Sequence, residues 1–570
     1  MKTSGDGILD DRSRGPPENW RVDAMMPRVD ASRHLAARGS SPTGALTRRI
    51  EVPEAAGSDV LAVAARFADL PGLAILDSAR PGRRARWTYV TADPVDTVME
   101  SGPPGATFAP ARALLERMGG PRSGAPAGQR AGAAPVPAPA QAPAPAPAPA
   151  PAQASGGPAG VGVAANVPPF AGGLVGFVGY DLGRDLERIP SIAIIDQVLP
   201  VLALGLHDWV VAIERRTGRV ILCGTAVDGD AVELDRRLAD VRARLATPGA
   251  PWPGTGPEAA GADQAAGADQ AAGAGQAAGA GQAAGAPRRF TSGLDRAAFV
   301  ERVERVRDAI ASGAIYQANL ARRLEAPFDG DPRALFALLR AGDPASFAAY
   351  LDLGPDPTTG APRAIVSASP EPYLAVDAAG RVATDPIKGT RPRGTTRAED
   401  RALAVELLAS EKDRAENVMI VDVLRNDLGR VCVPGSVRVP RLCRLERTGA
   451  VQHLVSTVVG ELAPELDALD LLAASFPGGS ITGAPKIRAM AVIEELEPVR
   501  RGPYCGAALW IGSDGAMGSS ILIRTFVADG TRLTLHVGGG ITRRSDALAE
   551  WEETGVKARG PLRAIGAEEA

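Results

Sequence analysis

The sequence predicts an α+β fold with a large, mainly antiparallel β-sheet core flanked by helices. Short segments rich in β-branched and aromatic residues, bounded by glycine turns, indicate strands in residues 49–250 and again after residue 430. Residues 289–429 instead contain apolar residues at helical spacing. Because these strand groups and helix groups are only partly interleaved, an antiparallel sheet is favoured over alternating parallel units.

The first half of the chain is predicted to be rich in strands. Its clearest strand segments read RWTYVTA, GGLVGFVGY and WVVAIERRTGRVILCG. In the last segment, two apolar stretches flank Thr217 and Gly218, a pair suited to a tight turn. This pattern predicts a β-hairpin.

Three helices are predicted before the second group of strands. The first covers DRAAFVERVERVRDAIASG, where apolar residues recur every three or four positions. The second begins at Thr396, where Glu399 three residues later completes a capping-box pattern. The third begins at Ser410 and ends at Gly429. The strands expected after it include VQHLVSTVVGEL, GAALWIGS, SSILIRTFVA and LTLHVGGGI.

Composition divides the chain into two folded regions and three segments that cannot build a core. The N-terminal tail, 1–48, is predicted to be disordered, 124–160 is expected to form an extended Pro/Ala-rich linker, and 251–288 is expected to be a flexible Gly/Ala/Gln-rich repeat. These segments leave an N-terminal domain at 49–250, interrupted by the Pro/Ala linker, and a C-terminal domain at 289–564.

Charge and cysteine usage exclude several classes of protein. The net charge of −3 gives no sign of nucleic-acid binding, and the four scattered cysteines suit reduced thiols better than a disulfide framework. The first 48 residues lack the apolar core of a signal peptide, and no apolar run approaches the ~18 residues of a membrane span. The chain is therefore expected to be cytoplasmic, with neither nucleic acid nor membrane as a partner.

Lysine is nearly absent from this sequence. Of its 63 basic residues, five are lysines: Lys2, Lys388, Lys412, Lys486 and Lys557. A lysine side chain can lose its proton and attack carbon, whereas arginine effectively cannot. Lys388, in DPIKGTRPRG, is therefore a candidate nucleophile, with a structural role in a turn or in binding a carboxylate as the alternative.

Two predicted helices carry acidic residues in positions that suit a hard cation. Asp413 and Glu416 lie three residues apart on one helical face, and Glu550, Glu553 and Lys557 share a face near the C-terminus. Carboxylate oxygens in a chain with only four histidines suit Mg²⁺. The alternative is two solvated faces with ordinary ion pairs such as Glu553–Lys557.

Other candidate features are less specific. FPGGSITGAPKIRAM is rich in glycine but lacks the phosphate-loop spacing, and its Pro485 suits the first turn of a helix. The GGGI stretch permits either a close backbone approach to a ligand or a tight turn. Arg524, on an apolar strand segment, requires an anion, and His453 suits a buried, satisfied histidine. No nucleophilic triad for glutamine hydrolysis is visible.

Taken together, these motifs resemble the chorismate-utilising enzymes, and among them the aminodeoxychorismate synthase component I family. The matching segments lie in order over about 365–560: SASPEPYL, DPIKGTRPRG, KDRAENVMIVDVLRNDLGRV, VQHLVSTVVGEL, FPGGSITGAPKIRAM, GPYCGAALWIG, SSILIRTF, GGGI and EWEETGVKA. The resemblance implies two packed sheets, a chorismate-binding C-terminal domain, and a glutaminase partner that supplies ammonia for a step in 4-aminobenzoate and folate biosynthesis.

The resemblance also implies roles for individual residues. Lys388 would be the nucleophile and Glu371 the acid, while Glu416 and Glu553 would hold Mg²⁺ with Asp413 and Glu550 acting through water. The implied substrate contacts are Tyr504, Arg524, Gly538, Gly539, Gly540, Lys557, Thr482 and His453. In the N-terminal half, Asp77 and Ser78 match a segment where related enzymes bind tryptophan.

Two alternatives stay open at this point. Anthranilate synthase component I shares nearly all of these motifs, but its lysine slot in PIKGT is typically alanine, and AILDSA departs from its usual Leu-Leu-Glu-Ser element. The other alternative is a non-catalytic tryptophan-binding scaffold subunit, which would not need Glu371, Lys388, Glu416 and Glu553 together.

Overall fold

The structure is a computed structural model that describes residues 45–80, 85–100, 108–120, 167–197, 199–255, 289–447 and 451–570. The predicted Pro/Ala linker, 124–160, lies outside these described residues. So do nearly all of the predicted N-terminal tail, 1–48, and the greater part of the predicted Gly/Ala/Gln segment, 251–288.

The described residues contain the following strands: β1 Thr47–Glu51, β2 Ala74–Asp77, β3 Trp87–Thr91, β4 Asp96–Glu100, β5 Gly173–Val178, β6 Leu202–His207, β7 Trp209–Glu214, β8 Val220–Thr225, β9 Arg289–Ser292, β10 Gln317–Pro327, β11 Phe347–Pro355, β12 Pro362–Ser369, β13 Pro372–Val376, β14 Arg381–Thr384, β15 Ile387–Pro392, β16 Arg438–Arg447, β17 Val451–Glu461, β18 Gly483–Ala484, β19 Ala507–Gly512, β20 Met517–Ile521, β21 Thr525–Asp529, β22 Arg532–Ile541 and β23 Glu568–Glu569. The α-helices in the same ranges are α1 Val60–Ala64, α2 Ala109–Arg117, α3 Gly183–Leu186, α4 Ala231–Ala246, α5 Arg296–Ala311, α6 Pro332–Gly342, α7 Arg397–Ala409, α8 Glu411–Gly429, α9 Ala468–Ser475, α10 Lys486–Leu496 and α11 Ala547–Ala564.

These strands form two large sheets. The order in the first is β1-β8-β7-β3-β2-β11-β12-β21-β22-β10-β9-β23, with β18 beside β10. The order in the second is β15-β17-β14-β13-β20-β19-β5-β6-β4, with β16 beside β17. Neighbouring strands run antiparallel except for the short parallel pair β9–β23. The predicted α+β class with a mainly antiparallel core is confirmed.

The two sheets pack against each other and draw strands from both halves of the sequence. Phe177 and Ala508, of the second sheet, share a buried cluster with Val210, Ala349 and Ile365 of the first. Strand β2 pairs with β11, and β5 pairs with β19. Both sheets therefore contain strands from the stretch 49–250 and from the stretch 289–564.

Local sequence signals explain several element boundaries. The predicted hairpin is present as β7–β8, with Gly218 at a φ of 69° between the strands. Ser410 caps α8 by accepting a hydrogen bond from the Asp413 amide at 3.3 Å, and the helix ends at Gly429 as predicted.

The capping box predicted for α7 is present only in part. Thr396 accepts from the Glu399 amide at 3.2 Å, but the Glu399 carboxylate accepts from the amide of Thr395, not Thr396, at 2.8 Å. The helix still begins where the pattern placed it, because one capping hydrogen bond satisfies a free amide of the first turn.

One helix that carries predicted site residues packs on the second sheet, and another packs on the first. Helix α8 packs on β15, β16 and β17, and α11 packs on β22. In the part of the chain that the structure describes, no helix is long and apolar enough to cross a membrane.

Candidate active site

Charged side chains from three elements meet at one place in the C-terminal half. Strand β15 contributes a lysine, α8 a lysine and a glutamate, and α11 two glutamates and a lysine. The residues are Lys388, Lys412, Glu416, Glu550, Glu553 and Lys557. We call this group the acid–lysine cluster. Its members act on one another electrostatically, as the pKa shifts below show.

Lys388 projects from an irregular part of β15. The register between β15 and β17 shifts between Lys388 and Thr390, and Gly389 has a φ of 69°. A Cβ atom on Gly389 would lie 2.9 Å from the Asp413 side chain, so the glycine lets α8 approach the strand closely. The Lys388 Nζ donates to the Ser480 carbonyl at 3.1 Å.

Glu371 lies beside Lys388 in a buried position. Glu371 immediately precedes β13 and is 8% exposed. Its side chain lines a small cavity together with Gly478, Gly479 and Ser480. Burial raises the pKa of Glu371, although Lys388, the Ser480 side chain and Lys557 oppose the rise. A carboxyl group that keeps its proton to higher pH is suited to protonating a leaving group.

The glutamates of the cluster have different surroundings. Glu416 Oε1 is buried and has no hydrogen-bond partner among the described residues. Burial raises the pKa of Glu416 against the fields of Lys388 and Lys412. Glu553 is half exposed. Burial opposes its charge, but Lys557 at 2.7 Å, together with Lys412 and Lys388, lowers the Glu553 pKa overall.

The remaining members complete the charge pairing. Glu550 is buried and lies 3.4 Å from the Lys412 Nζ. Burial works against the charge of Lys412, but Glu550, Glu416 and Glu553 raise the pKa of this lysine overall. Asp413, predicted to act through water, lies 3.4 Å from Arg391.

The cluster fits a hard cation by its chemistry. Within the described ranges, no group of three or more His, Cys, Asp or Glu side chains is arranged to hold a metal ion. Mg²⁺, however, commonly uses one or two carboxylates and completes its shell with water or substrate oxygens. Glu416, with its unpartnered buried oxygen, and Glu553, which is paired with Lys557, are the carboxylates whose chemistry would suit this role.

The glycine triplet lies within β22 and forms no turn, because Gly540, Gly539 and Gly538 pair with consecutive residues of β10. A Cβ atom on Gly540 would lie 2.1 Å from Gln317, and one on Gly539 would lie 3.3 Å from Glu550 Oε2. The Gly538 carbonyl accepts from the Lys557 Nζ at 2.8 Å. The triplet thus brings bare backbone against the acid–lysine cluster.

Arg524 departs from its predicted position. The segment SSILIRTFVA was expected to be a continuous strand, but it breaks between β20 and β21, and Arg524 lies in the break with a φ of 50°. Such a conformation is uncommon for a residue with a side chain. Because it lies outside the strand, Arg524 reaches solvent, with Asp343 Oδ1 3.8 Å from its Nη1 as a loose anionic partner.

The charge of Arg524 acts on the pKa of His453. On β17, its Nδ1 is 3.0 Å from the Thr390 hydroxyl. Burial lowers the pKa of His453 to about 4, and the positive charges of Arg524 and Arg80 add to this effect. His453 is therefore neutral at about pH 7 and can exchange hydrogen bonds without adding charge.

Two other predicted substrate contacts are fully buried. The Tyr504 ring stacks on His536 with centroids 5.0 Å apart. The Thr482 hydroxyl donates to the Gly478 carbonyl at 2.9 Å. Lys486, which follows the glycine-rich segment, donates to Asp427 at 2.8 Å. This ion pair agrees with the rejection of a phosphate loop in this segment.

The residues predicted for tryptophan binding are engaged with their neighbours. Asp77 accepts from Thr88 and from Arg340, both at 2.7 Å. Ser78 donates to the Trp87 carbonyl at 2.8 Å. These contacts tie β2 to β3 and to α6, and a role in binding tryptophan stays a prediction.

Sequence reasoning overlooked Lys412. The structure places it against Glu550, in the same cluster as Lys388 and Lys557. The scarcity of lysine was a usable signal, since three of the five lysines of the chain lie in this cluster. The sequence pattern alone does not place Lys412 beside Glu550, because the two residues lie 138 positions apart.

Comparisons with known proteins show which family the chain belongs to. The model of the chorismate binding enzyme family matches residues 142–563. Aminodeoxychorismate synthase component 1 of Salmonella typhimurium is 40% identical over 386 residues, covering 68% of this chain and 75% of that protein. Anthranilate synthase component 1 of Streptomyces coelicolor is 41% identical over 414 residues, covering 71% of this chain and 75% of that protein.

A solved structure shows the same architecture. Anthranilate synthase component I from Streptococcus pneumoniae superposes with a TM-score of 0.62 at 27% identity, covering 84% of this chain and 93% of that one. The family model covers residues 142–563, and the two relatives named above are 40% and 41% identical. These matches show common ancestry with that family. The chain belongs to the chorismate-binding enzyme family.

Proposed function

We propose that the chain is the chorismate-aminating component of an aminodeoxychorismate synthase, which converts chorismate and ammonia to 4-amino-4-deoxychorismate. The observation that carries this proposal is Lys388, a lysine in a chain that nearly avoids lysine. It lies beside Glu371 and within the acid–lysine cluster. The relatives alone do not decide between the two amination products, because both types are about equally similar.

The substrate is an anion with two carboxylates, and the site offers matching cations. Arg524 supports binding of the enolpyruvyl carboxylate because it is exposed and only loosely paired with Asp343. The backbone of Gly538–Gly540 and Lys557 would contact the ring side of the substrate. Mg²⁺, held by Glu416 and Glu553, would neutralise the ring carboxylate.

The proposed reaction consists of two displacements. Lys388 first gives up a proton to water, and its neutral Nζ forms a bond to C2. Both conjugated ring double bonds shift, and the C4 hydroxyl, protonated by Glu371, leaves as water. Ammonia then forms a bond to C4, both ring double bonds shift back, and the C2–N bond to Lys388 breaks, releasing the neutral lysine amine. Ammonia gives up a proton, and the released lysine regains its own. The amine thus replaces the hydroxyl at C4.

The closest alternative differs in a single step. If ammonia attacked C2 directly, the product would carry its amine ortho to the ring carboxylate, as in an anthranilate synthase. The observation that keeps this alternative in view is the 41% identity to the Streptomyces coelicolor protein. Lys388 occupies the C2 side in our proposal and so excludes ammonia from that carbon.

We further infer a glutaminase partner and a cytoplasmic location. The relatives are named as component 1, which implies a second component. No triad for hydrolysing glutamine is visible in the sequence, so the purified chain should use ammonium salts and leave glutamine unconsumed. The assignment to 4-aminobenzoate and folate biosynthesis follows from the product and is part of the proposal.

Product analysis tests the proposal. The chain is incubated with chorismate, Mg²⁺ and ammonium, and chromatography identifies the para or ortho amine. Lys388→Ala and Lys388→Arg should both lose at least ~100-fold in para product, since neither offers a usable lone pair. Rapid quenching without ammonia should reveal a mass adduct on the Lys388 peptide.

A control and a contrary result complete the test. Arg425→Ala removes a positive charge from an exposed ion pair with Asp422 on α8 and should retain wild-type product. If Lys388→Arg produced near-normal amounts of para product, the covalent mechanism would be wrong. If the wild-type chain produced the ortho amine, the assignment to aminodeoxychorismate synthase would be wrong.

A further inference from the structure

The acid–lysine cluster contains as many lysines as glutamates. Without a metal, its positive charges offset its negative charges when all six groups are ionised. Any divalent cation entering this cluster would disturb that balance by two positive charges. The lysines therefore influence how strongly the cluster attracts a cation before substrate arrives.

Lys412 and Lys557 are held in different ways. Lys557 is fixed at two points, by Glu553 at 2.7 Å and by the Gly538 carbonyl at 2.8 Å. The contact that links Lys412 to Glu550 is longer, at 3.4 Å, and the Lys412 side chain is 44% exposed. Lys412 is the lysine that can withdraw its ammonium group into water most easily.

A metal ion and Lys412 would compete for the same carboxylates. Lys412 contacts Glu550 and interacts electrostatically with Glu416 and Glu553, the two predicted ligands. Like charges at such range repel strongly in a partly buried site. A bound Mg²⁺ would therefore displace the Lys412 ammonium group or bind weakly beside it.

We propose that Lys412 is a positioning residue that takes the electrostatic place of Mg²⁺ in the free enzyme. As a result, Mg²⁺ alone binds weakly. It binds tightly only together with the dianionic substrate, whose two negative charges offset the two positive charges of the metal. This inference rests on the proposed function, because it takes Glu416 and Glu553 as the metal ligands and a dianion as the substrate.

The test measures Mg²⁺ binding by calorimetry in the absence of any turnover. Lys412→Met retains the apolar stem but removes the charge, and it should bind Mg²⁺ at least about fivefold more tightly than wild type without substrate. Lys412→Arg retains the charge and should resemble wild type. Arg425→Met, on the same helix, removes an exposed charge paired with Asp422 and should leave the Mg²⁺ affinity unchanged.

A second titration measures the coupling to substrate. In a Lys388→Ala background, which cannot form the covalent adduct, adding chorismate without ammonia should raise the Mg²⁺ affinity, and the factor should shrink when Lys412→Met is also present. Thermal melting without Mg²⁺ verifies that each variant is folded.

The outcomes separate this inference from the proposed function. Unchanged or weaker Mg²⁺ binding in folded Lys412→Met would overturn the inference while leaving the amination chemistry intact. Tighter binding in Lys412→Met together with an ortho product would support the inference and overturn the assigned product. If Mg²⁺ bound to none of the proteins even with chorismate, the inference and the metal assignment would both be wrong.

Discussion

Two groups of charged residues in this protein serve different purposes, and their hydrogen bonds show the difference. Arg501 is 2% exposed and donates to both oxygens of Glu497, at 2.8 and 2.6 Å, and to the carbonyls of Ile481 and Asn319. Glu497 also accepts from the Ala321 amide at 2.8 Å. In this pair the buried charges are extensively hydrogen-bonded within the protein.

The acid–lysine cluster is satisfied much less completely. Lys388 binds a carbonyl oxygen at 3.1 Å, Lys412 reaches Glu550 at 3.4 Å, and Glu416 Oε1 lacks a partner among the described residues. Lys412 is 44% exposed, so water and ligands can reach this side of the cluster. Their unused hydrogen-bonding capacity is available to a substrate or a metal ion.

The comparison teaches that completeness of hydrogen bonding, more than the presence of buried charge, separates structural from functional clusters here. A buried pair with full partners stabilises the fold once formed and loses stability sharply when one partner is removed. A cluster with unused donors and acceptors costs stability but retains binding energy for a ligand. Two substitutions should therefore have opposite consequences.

The largest effect is expected from Glu371→Gln, next to the acid–lysine cluster. Glutamine cannot donate a proton to the leaving hydroxyl, so turnover should fall by about 10²–10⁴-fold. The melting temperature should stay at or above that of wild type, because a buried amide costs less than a buried carboxylate. Steady-state kinetics with ammonium and a thermal melt measure both quantities.

The pH dependence provides an independent check on Glu371. Burial raises its pKa above the usual value near 4.5, so the protonated acid is available below the raised pKa and is lost as pH increases through it. Wild-type turnover should decline on that side, and the residual activity of Glu371→Gln should not show this decline. A variant with wild-type turnover, or with the same pH dependence, would argue against Glu371 as the acid.

The next effect is expected from Glu497→Gln, in the fully satisfied region. It leaves the Arg501 guanidinium buried without a charged partner, which should lower the free energy of unfolding by about 3–5 kcal/mol. Urea unfolding measures this loss. Activity of the folded fraction at low temperature should survive, because neither residue belongs to the acid–lysine cluster. A stable but inactive Glu497→Gln enzyme would contradict the distinction between the two regions.

Local features of this fold were predictable because their causes are local. The turn at Thr217–Gly218, the caps at Thr396 and Ser410 and the end of α8 at Gly429 each depend on residues within one turn of chain. The motif residues of the C-terminal half follow from the resemblance, and in the structure Glu371, Glu416 and Glu553 each lie within the electrostatic reach of Lys388.

Other features depended on contacts that sequence patterns do not encode. The pairing of β2 with β11 joins segments about 270 residues apart. The break at Arg524 interrupts a stretch whose apolar residues suit a continuous strand. The contact of Lys412 with Glu550 depends on α11, which the pattern of α8 alone does not place nearby.

The smallest effect is expected from deleting the Gly/Ala/Gln-rich repeat, and its size depends on where the deletion begins. Trp252 is 2% exposed, donates to the Arg333 carbonyl at 2.9 Å, and packs against Tyr350, so residues 251–255 belong to the folded region. Replacing 256–286 by a short Gly/Ser bridge should leave the melting temperature and ammonia-dependent turnover unchanged, because this composition cannot build a core.

Extending the deletion to 251 removes the tryptophan and should cost about 3–5 kcal/mol in unfolding free energy. Thermal melts of the two deletions, with Trp252→Ala as a matched variant, measure the difference. Equal stability of both deletions would show that Trp252 contributes nothing, and a large loss from the shorter one would show that the repeat stabilises the fold.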